Sequence, residues 1–373
     1  MKPIVVVGAG KIGSMITDFL NGTGDYKVTL VDQNQDALDR IAEEIPGIST
    51  VKANASNQQE MEAAFKGHFA VINSCPFDIS ASIAHAAAAQ QVHYLDLTED
   101  VASTRLIKSL AKDAKSAFIP QCGLAPGFIS IVAYDLARHF DSLHNVHMRV
   151  GALPKFPSNA LKYNLTWSTD GLINEYLNPC EAIVNGQLRE VPPMEELEHF
   201  SLDGDDYEAF NTSGGLGTLC ETLEGKVSNL NYRTVRYPGH RDVMKLLLND
   251  LRLGERRDLL KEIMESAIPV TMQDVVLVFA NVSGVKNGLF LQETFARKIY
   301  SREINGKLRS AIQITTASGI CAALDLLAEG KLPNQGFVRQ EDIRFEDFIN
   351  NRFGRNYMED DGKHPSASVR RVA

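Results

Sequence analysis

The sequence predicts an α/β fold in two parts: a parallel sheet with helices on both faces, then a second α+β domain built on a mixed or antiparallel sheet. Three observations lead there. Strand and helix patterns alternate through the first 120 residues. A glycine-rich turn, Gly8-Ala9-Gly10-Lys11-Ile12-Gly13, joins the first strand pattern to the first helix pattern. After about residue 124, strand patterns follow one another directly, several of them across Asn-Gly pairs.

The alternating part is justified element by element. Pro3–Val7 is a short all-apolar run, as in a strand buried on both faces. Residues 11–21 place Ile12, Met15, Ile16, Phe19 and Leu20 on one helical face. Lys27–Asp32 is a second strand, and 35–44 a helix with Leu38, Ile41 and Ala42 facing in. Then come strand 49–53, helix 57–66, strand 69–73, the Ala-rich helix 79–90, strand 92–97, helix 101–113 and strand 116–121. Six short strands separated by helices call for a parallel sheet.

The second part opens with a helix over 128–140. Strands are predicted at 144–152, 161–168, 181–184, 187–191, 206–210, 228–236, 274–283, 289–300 and 307–315. Asn185-Gly186, Asn287-Gly288 and Asn305-Gly306 mark hairpins. Tyr163, Leu165 and Trp167 alternate onto one face of the 161–168 strand. Helices are predicted at 240–250 and 255–266, and 316–329 forms a last apolar helix. The boundaries that follow are 1–123 for the first domain and 124–315 for the second, with 354–373 a polar tail.

Composition excludes several classes. Of the 373 residues 44% are apolar and 23% charged, values of a globular protein and not of a disordered or fibrous one. A net charge of −9 argues against nucleic acid as a partner, because phosphate binding needs a basic face. The five cysteines form no CxxC pair, so no zinc site is expected, and an odd, scattered set suits a reducing compartment. The N-terminus is not a signal peptide, and no stretch approaches the ~20 apolar residues of a spanning helix. A cytoplasmic protein with no membrane partner is expected.

The glycine turn carries chemistry. Gly8 allows the tight turn, Gly10 lets backbone approach a pyrophosphate, and Gly13 lets helix pack on strand. The helix start at Lys11 and Ile12 offers free N–H groups to phosphates. Asp32, nineteen residues after Gly13, ends the second strand where a carboxylate accepts from ribose hydroxyls. A carboxylate repels a 2′-phosphate, and Gln33-Asn34-Gln35 supply no cation, so NAD is expected over NADP; Asp32 also reads as a helix cap. Asn54-Ala55-Ser56 after the third strand, and Ser74-Cys75-Pro76 after the fourth, lie at strand ends where such a ligand binds, although both also read as plain turns.

For the reaction itself, Asp96 follows the fifth strand with Thr98 and Glu99. It is the first choice for a proton-handling or ammonium-binding group, while Glu99 reads as a charge at a helix start. Cys122, in the Gly/Pro loop closing the sixth strand, reads as a small buried residue. In the second domain Arg236-Tyr237-Pro238-Gly239-His240 groups a cation, a phenol and an imidazole. Arg236 suits a substrate carboxylate and His240 proton exchange near neutrality, with Tyr237 beside them; a surface Arg and a capping turn are the competing reading. Trp167, the single tryptophan, reads as core or as part of the substrate wall.

With these residues in view, the chain resembles the saccharopine dehydrogenase-like family, its lysine 6-dehydrogenase branch above all. The discriminating segments are GLAPGF (123–128), GALPKFP (151–157), LTWSTDGLINEY (165–176), EAFNTSGGLGTL (208–219) and RYPGH (236–240). The resemblance implies a split NAD(P)-binding Rossmann domain, completed by about 316–353, and a second domain with substrate and homodimer contacts. It implies an oxidoreductase acting on a carbon–nitrogen bond of a small amino acid. Lysine would give an aldehyde and ammonia; saccharopine, or another opine or carboxynorspermidine-type substrate, is the alternative. A regulator that senses dinucleotide without chemistry is the alternative of another class. Position 54, at the adenine contact the resemblance implies, is Asn where relatives often carry Asp.

Overall fold

The structure is a computed structural model and describes residues 1–358. It divides into two compact units, one of Met1–Ile131 with Gln313–Met358 and one centred on Val132–Ile312. In chain order the first unit begins β1 (Lys2–Val7), α1 (Lys11–Gly22), β2 (Tyr26–Asp32), α2 (Gln35–Glu44), β3 (Ser49–Lys52) and α3 (Gln58–Phe65). It continues β4 (Ala70–Asn73), α4 (Ser80–Gln90), β5 (His93–Asp96), α5 (Val101–Ala111) and β6 (Ala117–Ile119), and α6 (Phe128–Ala137) leaves it. Helix starts follow side-chain caps: Asn34 accepts from the Ala37 N–H, Asn57 from Gln59 and Glu60, and Asp100 from Ser103. The cap of α2 is therefore Asn34 and not Asp32, and the helix-start charge on α5 is Asp100 and not Glu99.

The second unit runs β7 (Ser142–Pro154), α7 (Thr169–Leu177), β8 (Cys180–Val184), β9 (Gln187–Val191), β10 (Glu198–Leu202), β11 (Asp205–Asn211) and α8 (Leu219–Leu223). It goes on with β12 (Asn229–Arg236), α9 (His240–Lys245), α10 (Arg257–Ala267), β13 (Asp274–Lys286), β14 (Leu289–Tyr300), β15 (Arg302–Ile304) and β16 (Lys307–Arg309). Helix α11 (Ala311–Ala328) returns the chain to the first unit, which ends with β17 (Gly336–Phe337), α12 (Phe345–Asn350) and a turn at Gly354–Tyr357.

The first sheet is parallel throughout, in the order β17-β6-β5-β4-β1-β2-β3. Ile4, Val5, Val6 and Val7 are wholly buried because β1 is central and covered on both faces. Strand order reverses direction between β1 and β4, which places a ligand crevice at their carboxyl ends. The second sheet, β10-β11-β12-β7-β13-β14, is antiparallel except for the parallel β12–β7 pair. Each expected Asn-Gly hairpin is present, with both residues left-handed: Asn185 and Gly186 at φ 52° and 78°, Asn287 and Gly288 likewise, and Asn305 and Gly306 at 53° and 73°.

Four expectations change. Residues 161–168 form no strand: Lys162 is left-handed at φ 50°, one bridge links Leu165 to Val270, and Asn164 and Thr166 are buried beside Tyr163 and Leu165. The strand expected over 307–315 stops at Arg309. There the Asp274 carboxylate accepts from the Ala311 N–H (2.5 Å) and the Ile312 N–H (3.0 Å) and starts α11 early. That helix is apolar and long enough to cross a membrane by length and composition, which revises the expectation that no stretch is; 89% of it is buried inside the protein. Residues 354–358 are not part of a tail as expected, because Tyr357 is buried, stacks on Phe128 at 3.9 Å and donates to the Thr315 carbonyl at 2.6 Å. The expected tail over 359–373 lies outside the described residues.

Asp325 fastens the returning segment. Its carboxylate accepts from the Tyr26 hydroxyl (2.5 Å), Asn351 Nδ2 (2.8 Å) and Arg352 Nε and Nη2 (3.0 and 2.7 Å). Burial alone would raise its pKa, but these hydrogen bonds and the guanidinium charge hold it below the ordinary carboxylate range. A depressed folded pKa contributes stability above the unfolded value, near ~4, that is lost as pH falls through the folded one. Asp325→Ala should cost about 3 kcal/mol at neutral pH, because it leaves Tyr26 and Asn351 without their acceptor and Arg352 with only the exposed Asp25. Chemical denaturation at pH 7 and at pH 3 checks this: the gap between wild type and variant should shrink at the lower pH.

Candidate functional site

The glycine turn sits where β1 meets α1. Gly8 is left-handed at φ 107°, and a Cβ there would lie 2.7 Å from Ser74 Oγ. A Cβ on Gly13 would lie 1.8 Å from the Gly8 carbonyl oxygen, so helix and turn touch. Gly10 differs, since a Cβ there would meet nothing within 4 Å. The turn is therefore closed on the protein side and open at Gly10. Gly10 begins α1 with no side-chain cap and no acidic residue in the first turn. An uncapped helix start with open space before it fits a dinucleotide pyrophosphate. Lys11 is exposed and Ile12 half-buried at that start.

Asp32 stands beside this turn. Its Oδ2 accepts from the Ala9 N–H at 2.6 Å and its Oδ1 from the Asn34 N–H at 2.8 Å. Both oxygens keep a lone pair for ribose hydroxyls. The Ser74 hydroxyl donates to the Val7 carbonyl at 2.8 Å, which joins the β4 loop to the β1 turn. Cys75 is half-buried, and burial, with the Asp32 and Asp78 carboxylates nearby, pushes its thiol up to about 12. It is a neutral wall and not a nucleophile. Pro76 starts the short turn that leads into α4. Asn54 is exposed and accepts from the Ser56 N–H at 3.0 Å, while the Ala55 carbonyl accepts from the Ser82 hydroxyl.

Asp96 is placed differently from expectation. It is 1% exposed and accepts from Tyr94 (2.9 Å), the Thr98 N–H (3.1 Å) and the Gln121 N–H (2.8 Å). Burial raises its carboxyl to about 6 against the pull of those donors. Gln121 is left-handed at φ 66°, a strained backbone that the bond to Asp96 holds. Asp96 shapes the loops after β5 and β6 from beneath. Glu99, released from capping by Asp100, is half-buried, and burial pushes its carboxyl up to about 7. Cys122 is buried, as read from the sequence.

In the second unit Arg236 is 3% exposed at the end of β12. Its Nε donates to the Tyr176 hydroxyl at 2.9 Å and its Nη1 to the Val235 carbonyl at 2.8 Å. The Tyr163 and Tyr176 rings lie 5.3 and 5.8 Å from its Cζ. Among the described residues no carboxylate pairs with it.

His240 joins this group but cannot exchange protons near neutrality. Its ring is wholly buried, both nitrogens are bonded, and burial, with Arg236 beside it, lowers its pKa to about 3. Tyr237 leaves the group. Its hydroxyl donates to the Pro154 carbonyl at 3.0 Å and its ring stacks on Tyr207, in a separate apolar cluster, because successive strand residues face opposite sides. Trp167 packs half-buried on the cluster of Tyr163, Tyr176 and Phe210. Tyr176 is the residue that sequence reasoning missed. It ends the 165–176 segment, and nothing local marks one hydroxyl as a guanidinium partner.

Residues 4–118 match the family described as "Saccharopine dehydrogenase NADP binding domain", and residues 123–355 match "Saccharopine dehydrogenase C-terminal domain". The chain is 21% identical over 319 residues to the alpha-aminoadipic semialdehyde synthase of Bos taurus, a match covering 80% of this chain and 33% of that protein. It is 20% identical over 284 residues to the saccharopine dehydrogenase (NADP+, L-glutamate-forming) of Pyricularia oryzae, covering 72% of this chain and 61% of that one. The chain thus spans a third to three-fifths of the length of these relatives. A solved apo saccharopine dehydrogenase (L-Glu forming) of Saccharomyces cerevisiae shares the fold, with a TM-score of 0.78 at 15% identity over 93% of this chain and 96% of that one.

The glycine geometry separates folding from binding. Gly10→Ala should leave the melting temperature within a few degrees yet raise the dinucleotide Kd about tenfold. Gly13→Ala should instead cost about 2 kcal/mol of stability, because its Cβ meets backbone. Calorimetric titration and thermal denaturation of both variants test the pair; equal binding by Gly10→Ala would move the pyrophosphate elsewhere.

Proposed function

The chain belongs to the saccharopine dehydrogenase family, NAD(P)-dependent oxidoreductases acting on CH–NH groups, and on that footing we propose that it oxidises a carbon–nitrogen bond of a carboxylate-bearing amino acid, lysine first. The observation that carries this reading is Arg236. A buried guanidinium with no ion-paired carboxylate, and only Glu175 acting on it through space, gains by pairing with an arriving anion. Asn164 Oδ1, on the segment that brings Tyr163 to Arg236, is buried with no donor and suits an ammonium or amine N–H. Saccharopine is the second substrate to test, and the names of the relatives favour it.

When bound, the nicotinamide supplies the hydride acceptor. The chain's own part is to hold the substrate carboxylate at Arg236 and to take a proton from the ammonium, since only the neutral amine releases hydride from its carbon. Within the first unit, taken by itself, we assign proton exchange to Glu99, with Asp96 fixing the shape of its loop. Water then adds to the imine, and the carbon–nitrogen bond breaks.

For the cofactor we propose NAD over NADP. Asp32 sets a carboxylate beside the ribose position, and Gln33, Asn34 and Gln35 bring no cation to a 2′-phosphate. The NADP in the names of the family and relatives is theirs. A lower Kd for NADP than for NAD would overturn the preference, and Asp32→Ala should narrow the gap.

Two measurements test the reaction. NADH formation with L-lysine and with saccharopine, side by side at alkaline pH, should appear with one of them, and Arg236→Ala should raise its KM about a hundredfold. No turnover with either substrate would favour the dinucleotide-sensing alternative. The pH profile gives a second check. A base near 7 is competent only when deprotonated, so kcat/KM should rise as pH increases through about 7, and Glu99→Gln should remove that inflection.

A further inference from the structure

His240 and Tyr176 are not spent on packing alone, because their hydrogen bonds have only one consistent direction. His240 Nδ1 lies 2.8 Å from the Leu161 carbonyl oxygen, which can only accept, so Nδ1 carries the proton. A neutral ring then leaves Nε2 as an acceptor. The Tyr176 hydroxyl, 3.0 Å away, must donate to it. With its proton committed, the Tyr176 oxygen is free to accept, and Arg236 Nε donates to it at 2.9 Å. The far end of the chain is fixed as well. Glu208, 2% exposed, accepts from the Gly239 N–H (2.8 Å) and the Arg241 N–H (2.7 Å) and so clamps the turn that carries His240. At the guanidinium, Nε and one Nη1 hydrogen are spent, so the Nη1–Nη2 edge is what is left for a ligand. That edge can hold a carboxylate through two parallel N–H bonds.

We infer that Tyr176 and His240 are positioning residues that orient Arg236 so that its Nη1–Nη2 edge receives the substrate carboxylate. The inference rests on the proposed role of Arg236. A guanidinium without this relay would rotate about its last bonds and lose the two-point fit, and a phenol free to reverse its proton would oppose the Nε–H. The two tyrosine rings confine the guanidinium plane, and the hydroxyl sets its rotation within that plane.

The test compares ligands with and without a carboxylate. Binding of L-lysine, saccharopine and cadaverine, which is lysine without its carboxylate, is followed in the full chain by calorimetry and by the fluorescence of Trp167, the single tryptophan. Tyr176→Phe should weaken whichever carboxylated ligand binds by about tenfold and leave cadaverine within about twofold. His240→Gln should shift affinity in the same direction and serves if Tyr176→Phe fails to fold. In an Arg236→Ala background, Tyr176→Phe should have no further effect, which a purely structural role would not produce. Equal losses for carboxylated and decarboxylated ligands, or undiminished coupling without Arg236, would overturn the positioning role. If Arg236→Ala itself leaves L-lysine and saccharopine binding unchanged, or the wild type binds neither, it is the carboxylate reading of Arg236 that fails.

Discussion

A carboxylate taken out of water has to find donors, and in this protein it finds them mainly in backbone N–H groups at strand ends and helix starts. Asp32 binds the turn after β1, Asp96 the loops after β5 and β6, Asp274 the start of α11, and Glu208 the turn before α9. Each ties a segment that could adopt several conformations to one that cannot. Backbone donors are well suited to this, since they carry no rotamer entropy and sit on elements already fixed by the sheet. The loops that form the candidate sites are therefore held from within, and their outer faces remain open for ligands.

Arginine shows the opposite pattern, and the exception is informative. Arg149 is as buried as Arg236, yet it is paired with Glu198 and hydrogen-bonded to Asn231. Arg352 meets Asp325 and Asp25, and Arg233 meets Glu196 and Glu198. Arg236 differs: rings, a phenol and a carbonyl contact it, and Glu175 acts on it through space without an ion pair. Desolvation would lower its pKa, but the surrounding tyrosines and Glu175 keep it raised, so it stays charged. Beside the paired Arg149, the guanidinium of Arg236 without an ion pair fits the proposed role of receiving a negative group that is not the protein's own.

What could be read from the sequence was what is decided locally. The three Asn-Gly hairpins, the glycine turn and the alternation through β6 depend on residues within a few positions of one another, so pattern reveals them. The start of α11 depends on Asp274, 37 residues earlier in the chain, and a helical period alone placed it five residues late. Strand β17 has two residues, too few to show any period. Tyr163, Leu165 and Trp167 do alternate, but a left-handed Lys162 bends the segment before it can pair. At the site, the types of residue were legible and their tasks were not. The RYPGH run announces a cation, a phenol and an imidazole, yet side-chain direction sends Tyr237 to the other cluster, burial silences His240, and the phenol that matters comes from α7.

The same distinction separates the two carboxyl groups after β5. Asp96 and Glu99 look interchangeable in sequence, and burial raises both. Asp96 receives three donors, from its own strand, the loop after it and the loop after β6, so moving a proton on or off it would disturb Tyr94, Thr98 and Gln121 together. Glu99 leans on its own backbone N–H and on repulsion from Asp100 and Asp96, with part of its surface in water. A proton-exchanging group needs an exit for the proton and little reorganisation when its charge changes. Glu99 meets both conditions and Asp96 neither. On the proposed reading, the rigid carboxylate would serve the reaction by holding the loop, and the looser one by changing its charge.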